Sequence, residues 1–214
     1  MCAPMARAFF ITLEGGEGAG KSTQAALLAS RLNDHGLNVV STREPGGSPG
    51  AESIRALLVT GAQDRWSPVT ETLLMYAARR DHIERLIRPA LKRNATVICD
   101  RFIDSTRAYQ GVAGGVPAGL IDALETLTLD GVWPDLTLIF DLPPEIGLAR
   151  AASRGTKDVR FETKDIEFHG RLRDGFLEIA RREPDRCAIV DASLAPDAVA
   201  ELVWSIVEPR LPAR

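Results

Sequence analysis

Cysteine is nearly absent: Cys2, Cys99 and Cys187 are the only three in 214 residues. They are too few and too scattered for a disulfide framework, and an odd count leaves at least one thiol unpaired within the chain. A reducing, cytoplasmic setting suits such a sequence. No window approaches the roughly 18 to 20 apolar residues of a membrane span. Met1 to Ala8 holds no apolar stretch resembling a secretory leader, and Met5 is a second candidate initiator. An excess of either charge is also missing. Lys plus Arg number 26 against 29 Asp plus Glu, a net charge of -3, so no general field favours nucleic acid or an anionic membrane as a partner. Repeats and low-complexity tracts are absent, as is Asn-Lys-x-Asp, the guanine-reading signal of switch GTPases. His35, His82 and His169 form no metal-ligand or triad pattern and read as structural or surface histidines. Trp66, Trp133 and Trp204 read as packing residues.

What is present is ordinary globular composition, 45% apolar and 26% charged, enough to build one core. A single domain over residues 1–214 is expected. Apolar, β-rich runs recur at Phe9–Leu13, Leu37–Ser41, Ala95–Cys99, Leu136–Phe140 and Cys187–Val190, with helical spacing between them. Near-continuous apolar strands alternating with amphipathic helices predict a five-stranded parallel sheet covered on both faces, a three-layer α/β/α fold of the P-loop type. Pro68 to about Leu91 reads as the longest helix, with Val69, Leu73, Tyr76, Ile83, Ile87 and Ala90 along one face. Arg79 and Arg80 interrupt that face and read, on periodicity alone, as solvated guanidinium groups with their stems on the core.

The strongest local signal is Gly15-Gly16-Glu17-Gly18-Ala19-Gly20-Lys21-Ser22, followed by Thr23, between a predicted strand and a predicted helix. Polyphosphate is bound by several backbone N–H groups and a helix N-terminus, and glycines permit that turn. Lys21 supplies a point charge for the β/γ-phosphates, and the Ser22 hydroxyl is placed to ligate Mg²⁺. This predicts an ATP-binding site. Asp100-Arg101 closes the apolar run Val97-Ile98-Cys99, at the carboxyl end of a strand where ligands bind in open α/β sheets. A carboxylate there can hold Mg²⁺ or its waters, and an Arg can clamp an acceptor phosphate in line for transfer. A small kinase is favoured over a motor or a nucleotide-dependent switch.

The combination resembles bacterial thymidylate kinase over nearly the whole chain: Glu14 to Thr23, Thr42-Arg43-Glu44-Pro45-Gly46-Gly47-Ser48, Tyr76-Ala77-Ala78-Arg79, Asp100-Arg101 through Ser105-Thr106-Arg107-Ala108-Tyr109-Gln110-Gly111, and Pro134-Asp135-Leu136-Thr137. The resemblance implies that ATP phosphorylates dTMP to dTDP, a step toward dTTP, in a homodimer packed through long helices. It implies that Arg101 holds the dTMP phosphate, Asp100 organises Mg²⁺, and Arg79 donates to a thymine carbonyl. Ser105, Thr106, Tyr109 and Gln110 would line the base and deoxyribose, with the Tyr109 ring excluding a 2′-hydroxyl. Pro45 would lie beneath the base, and Glu17 near the sugar 3′-hydroxyl. The family usually has Phe where Met75 stands, so either Met75 or Tyr76 would meet the ring. An acidic Glu17 in the phosphate loop further implies that catalytic arginine comes from a lid at about 154–162, with Arg154 and Arg160 favoured over Lys157. Asp191-Ala192-Ser193 resembles the loop bordering adenine. Another nucleoside monophosphate or a free deoxynucleoside remains an alternative acceptor.

Overall fold

A computed structural model describes residues 8–62, 64–154 and 164–212. Five parallel strands, β1 (Phe9–Gly15), β2 (Val39–Arg43), β3 (Thr96–Asp100), β4 (Leu136–Asp141) and β5 (Cys187–Asp191), form one sheet in the order β2-β3-β1-β4-β5. Each predicted strand is present, displaced by no more than two residues at either end. All seven residues of central β1 are buried, as a strand covered on both faces requires. Its side chains alternate between two cores. Ile11 and Leu13 pack with Leu28 of α1 (Lys21–Asp34) and with Val199 and Val203 of a C-terminal helix (Pro196–Val207). Phe10, on the other face, packs with Val97, Ile83, Ile87 and Phe102.

Register sets the chemistry. Leu13 and Arg43 both pair with Asp100, so the carboxyl ends of β1, β2 and β3 finish side by side. The phosphate loop, the Glu44 loop and Asp100-Arg101 therefore leave the sheet along one edge.

The long helix forms, but not as a uniform cylinder. It runs as α3 (Pro68–His82), a π-helical turn (Ile83–Ile87) and α4 (Arg88–Lys92), with the Arg88 amide donating to the Ile83 carbonyl. Pro89 explains the widening, because its ring would press on the carbonyl four residues back in a regular α-helix. The expected apolar stripe is also split. Tyr76, Ile83, Ile87 and Ala90 are buried, whereas Val69 and Leu73 are 43% and 47% exposed. Helix α3 packs against α2 (Pro49–Val59), and its first turns leave those two side chains outside.

Among the described residues, no helix is long and apolar enough to cross a membrane. Cys99 and Cys187 are buried free thiols. Trp204 is buried, while Trp133 is 44% exposed and lies under the Arg107 guanidinium.

Candidate active site

Helix α1 begins without a side-chain cap, its N-cap being Gly20 at φ 83°. Its first amide groups are therefore left for a ligand, and a helix N-terminus favours an anion. The loop before it, Gly15 to Gly20, is held by close backbone packing. A Cβ on Gly18 would collide with the Gly147 carbonyl, and one on Gly147 with the Glu17 carbonyl. Gly147 belongs to α7 (Pro144–Arg154), and no sequence motif singled it out. Ala19 is buried in the core, and Thr23 is exposed on the first turn of α1.

Lys21 folds back into this cradle. Its Nζ donates to the carbonyls of Gly15 (3.1 Å) and Gly16 (2.7 Å). Burial, with Arg101 adding to it, pulls the Lys21 ammonium down to about 8 against the opposing pull of Asp100 and Glu17. Ser22 Oγ donates to Asp100 Oδ2 at 2.6 Å. A hydroxyl and a carboxylate in contact beside a phosphate cradle are hard oxygen donors that fit Mg²⁺, which keeps waters and takes phosphate oxygens rather than an all-protein cage. Among the described residues, no group of three or more His, Cys, Asp or Glu is placed to hold a metal ion.

Arg101 has φ 70°, the left-handed region that a non-glycine residue adopts at a cost of about 1 to 3 kcal/mol. Three hydrogen bonds secure that turn: Arg101 N to the Leu13 carbonyl (2.9 Å), Phe102 N to Glu14 Oε1 (2.7 Å) and Ser105 Oγ to Glu14 Oε2 (2.6 Å). The guanidinium then reaches across the strand ends. Nη1 donates to the Gly15 carbonyl (3.0 Å) and Ser105 Oγ (3.2 Å), and Nη2 to Glu17 Oε1 (3.0 Å), over the Tyr109 ring. Tyr109 donates to the same Glu17 oxygen at 2.6 Å. Burial pushes the Glu17 carboxyl up, but Arg101 and Lys21 outweigh it and bring it down to about 2. Glu14 has no such surplus. Burial and the Asp104 carboxylate raise it to about 7 despite Ser105, Arg101 and Phe102.

Arg79 overturns the helical-periodicity reading of a solvated guanidinium: it is 2% exposed. Its Nε donates to Glu44 Oε2 (2.7 Å), and its Nη2 to the Phe102 carbonyl and Thr106 Oγ1 (both 3.0 Å). Nη1 is buried without a hydrogen-bond partner. The reason is a counter-charge that the helix alone does not reveal, Glu44 on the loop after β2. His82, fully buried, donates Nδ1–H to Glu44 Oε1 at 2.9 Å. Pro45 follows Glu44 across a cis peptide, and its carbonyl accepts from Arg55 Nη1 at 2.9 Å. Tyr76 points into the core with Val116 and Ile121 and donates to Glu125 Oε1 at 3.3 Å. Met75, half-buried, lies one turn before Arg79. Gln110 Nε2 donates to Glu71 Oε1 at 2.8 Å, tying the segment that follows Arg101 to α3.

An open cleft with a volume of about 280 Å³ is bounded by Glu17 to Ser22, Asp100 and Arg101. Arg43, Glu44 and Arg55 also line it. Arg43 stood inside a quoted segment without a role, and Arg55 in no motif. Beside the Asp191–Ser193 loop, Arg150 donates to the Ala192 carbonyl at 2.9 Å; it too was not singled out by its sequence. Arg154 ends α7, while Lys157, Arg160 and the rest of the expected lid lie outside the described residues.

The chain matches the family described as thymidylate kinase over residues 13–203. It is 64% identical to a thymidylate kinase of Caulobacter vibrioides, over 97% of this chain and 99% of that protein. A thymidylate kinase of a Bradyrhizobium species is 52% identical, over 96% and 92%. The crystal structure of thymidylate kinase from Ehrlichia chaffeensis superimposes with a TM-score of 0.79 at 38% identity, covering 94% of this chain and 99% of that one. The phosphate cradle, the strand-end arginine and the long helix thus occur in a chain alike along its length to these proteins, and the chain belongs to the thymidylate kinase family.

Proposed function

We propose that this enzyme transfers the γ-phosphoryl group of ATP to dTMP, and that its residues divide the work between a donor end and an acceptor end. The observation that carries this reading is the Gly15 carbonyl, which accepts from both Lys21 Nζ and Arg101 Nη1. A cation suited to the β/γ-phosphates and a cation suited to an acceptor phosphate thus meet on one oxygen. Two cations on one side of the strand ends suit a donor and an acceptor phosphate brought side by side for transfer. An oxygen of the dTMP phosphate bonds to the γ-phosphorus as the bond to the ADP oxygen breaks.

Gly15 to Thr23 cradle the ATP phosphates, and Lys21 leaves its carbonyl partners to meet them. Ser22 and Asp100 would hold Mg²⁺, which supplies charge neutralisation on the phosphate oxygens when bound. Arg101 takes the dTMP phosphate, with Ser105 beside it. Glu17, released from Arg101, lies near the 3′-hydroxyl, and the Tyr109 ring closes the space a 2′-hydroxyl would need. Arg79 reads a thymine carbonyl. A buried donor left unpaired costs about 1 to 3 kcal/mol, and a base carbonyl meeting Nη1 removes that cost. Thr106 and Gln110 brace this wall, and Pro45 floors it. With Tyr76 committed to the core, Met75 offers its thioether to the ring. Arg154 and Arg160 would bring cationic charge to the transferring group as a lid over about 154–162 closes on an otherwise single domain.

We further infer a cytoplasmic homodimer. Leu57, Val69, Leu73 and Leu127, on α2, α3 and α6 (Ala118–Leu129), are exposed large apolar side chains, and burial against a second copy would remove them from water. Sedimentation at several concentrations tests this. Turnover of dTMP, dUMP, dCMP, AMP and thymidine with ATP and Mg²⁺ tests the activity: dTMP is expected to be the best acceptor, and any other ranking refutes the assignment.

A further inference from the structure

His82 stands outside every motif in the sequence, yet it is 0% exposed and joins three elements of the acceptor end. Nδ1 bonds to Glu44 Oε1 at 2.9 Å, and Nε2 to Thr42 Oγ1 of β2 at 2.8 Å. A carboxylate only accepts, so Nδ1 carries the proton. The loop after β2 lies directly on the imidazole, since a Cβ on Gly47 would collide with both His82 Nε2 and Thr42 Oγ1.

The consequence lies in how Glu44 uses its two oxygens. Oε1 is held by His82 and Oε2 by Arg79 Nε. A carboxylate free to turn prefers a two-pronged grip on a guanidinium, through Nε and one terminal nitrogen at once. That grip would draw Arg79 Nη2 off the Phe102 carbonyl and Thr106 Oγ1, which it now meets at 3.0 Å. We propose that His82 is a positioning residue of the acceptor site: by occupying one Glu44 oxygen it confines that carboxylate to Arg79 Nε. Both terminal nitrogens of Arg79 are then kept for the wall of the site and for the base. His82 touches neither substrate; it sets the orientation of the side chain that reads one. This rests on dTMP being the acceptor and on Arg79 meeting its base.

The test uses two isosteric replacements in the full-length enzyme. His82→Asn retains a donor near Nδ1, whereas His82→Gln retains one near Nε2 and releases Glu44. H82Q is expected to raise KM for dTMP about tenfold, the size of one lost hydrogen bond, and to shrink the preference for dTMP over dCMP. KM for ATP should stay within about twofold, and H82N should remain near wild type. Parallel loss of dTMP and ATP use in H82Q, or equal behaviour of H82N and H82Q, overturns the proposal. If H82Q does not fold, Thr42→Val removes the hydroxyl that steadies Nε2 and should raise KM for dTMP about threefold; an unchanged KM overturns the role. Wild-type enzyme with no preference for dTMP overturns this proposal together with the acceptor assignment. Wild-type preference retained in H82Q overturns the His82 role alone.

Discussion

On the proposed assignment, the groups that meet the donor are main-chain amides, glycines and one lysine, contiguous from Gly15 to Thr23. The proposed acceptor end is instead built of side chains that hold one another, from the β2 loop, α3, the end of β3 and the helical segment after it: Glu44, Arg79, Arg101, Ser105, Thr106 and Tyr109. A main-chain site tolerates new side chains that point away but not a shift of its backbone. A side-chain site accepts small backbone movement but loses function when one ion pair is rearranged.

The sharpest way to break that contrast is to find that the decisive charge belongs to neither end. Removing both lid arginines, Arg154→Ala with Arg160→Ala, is expected to lower kcat about 10³-fold while dTMP KM changes least, as for a cation met in the transition state. Unchanged kcat would eliminate the lid. Next, Arg101→Ala should lower kcat/KM for dTMP by about 10² to 10³ with little change in ATP binding. Calorimetric titration of the variant with ATP distinguishes this from general collapse of the cleft. Gly147→Ala should do the reverse, because its Cβ meets the Glu17 carbonyl and must displace the phosphate loop. A loss of about tenfold to 10²-fold in kcat/KM for ATP is expected, and wild-type kinetics would show that the backbone site yields more than its packing implies.

The smallest effect concerns Glu14, beneath the join of the two ends. Its folded-state pKa is raised from 4.5 to about 7, so between those values the native state binds more protons than the unfolded chain. Stability from this group is present below about pH 4.5 and is lost as pH rises through about 7. Glu17, lowered to about 2, works in the opposite sense and loses its contribution as pH falls. Comparing Glu14→Gln with wild type in urea at pH 5 and pH 7.5 isolates Glu14. The variant should gain relative to wild type by on the order of 2 kcal/mol across that interval, and a constant difference would mean that Glu14 stays ionised.

The turn and helix start of the donor end were legible because they lie in adjacent residues, where spacing itself encodes them. Asp100-Arg101 was readable because an apolar run ending in a charged pair marks a strand end. Arg79 shows where periodicity stops helping. A helical wheel puts Arg79 on the apolar face, where its charge argues for solvent, and only the fold brings up Glu44 from 35 positions away in sequence. His82 is hidden for the same reason, since both of its partners belong to the β2 region. Gly147 was unreadable for a different one: a glycine within a helix announces no partner, and its meaning lies in the loop that touches it. The π-helical turn before Pro89 moved no boundary, so the predicted helix held its ends while changing its internal pitch.

Glu17 and Arg101 carry a last implication. In this structure the guanidinium is partnered by a carboxylate at 3.0 Å. On the proposed assignment of Arg101 to the acceptor phosphate, an incoming monophosphate would therefore exchange one anion for another and would not fall into an unshielded positive hole. The attraction is a difference between two partners, so it moderates how long the nucleotide stays. On that proposal, Glu17 would be at hand to reclaim the arginine when the product leaves, and the site would reset without waiting for a counter-ion from solution.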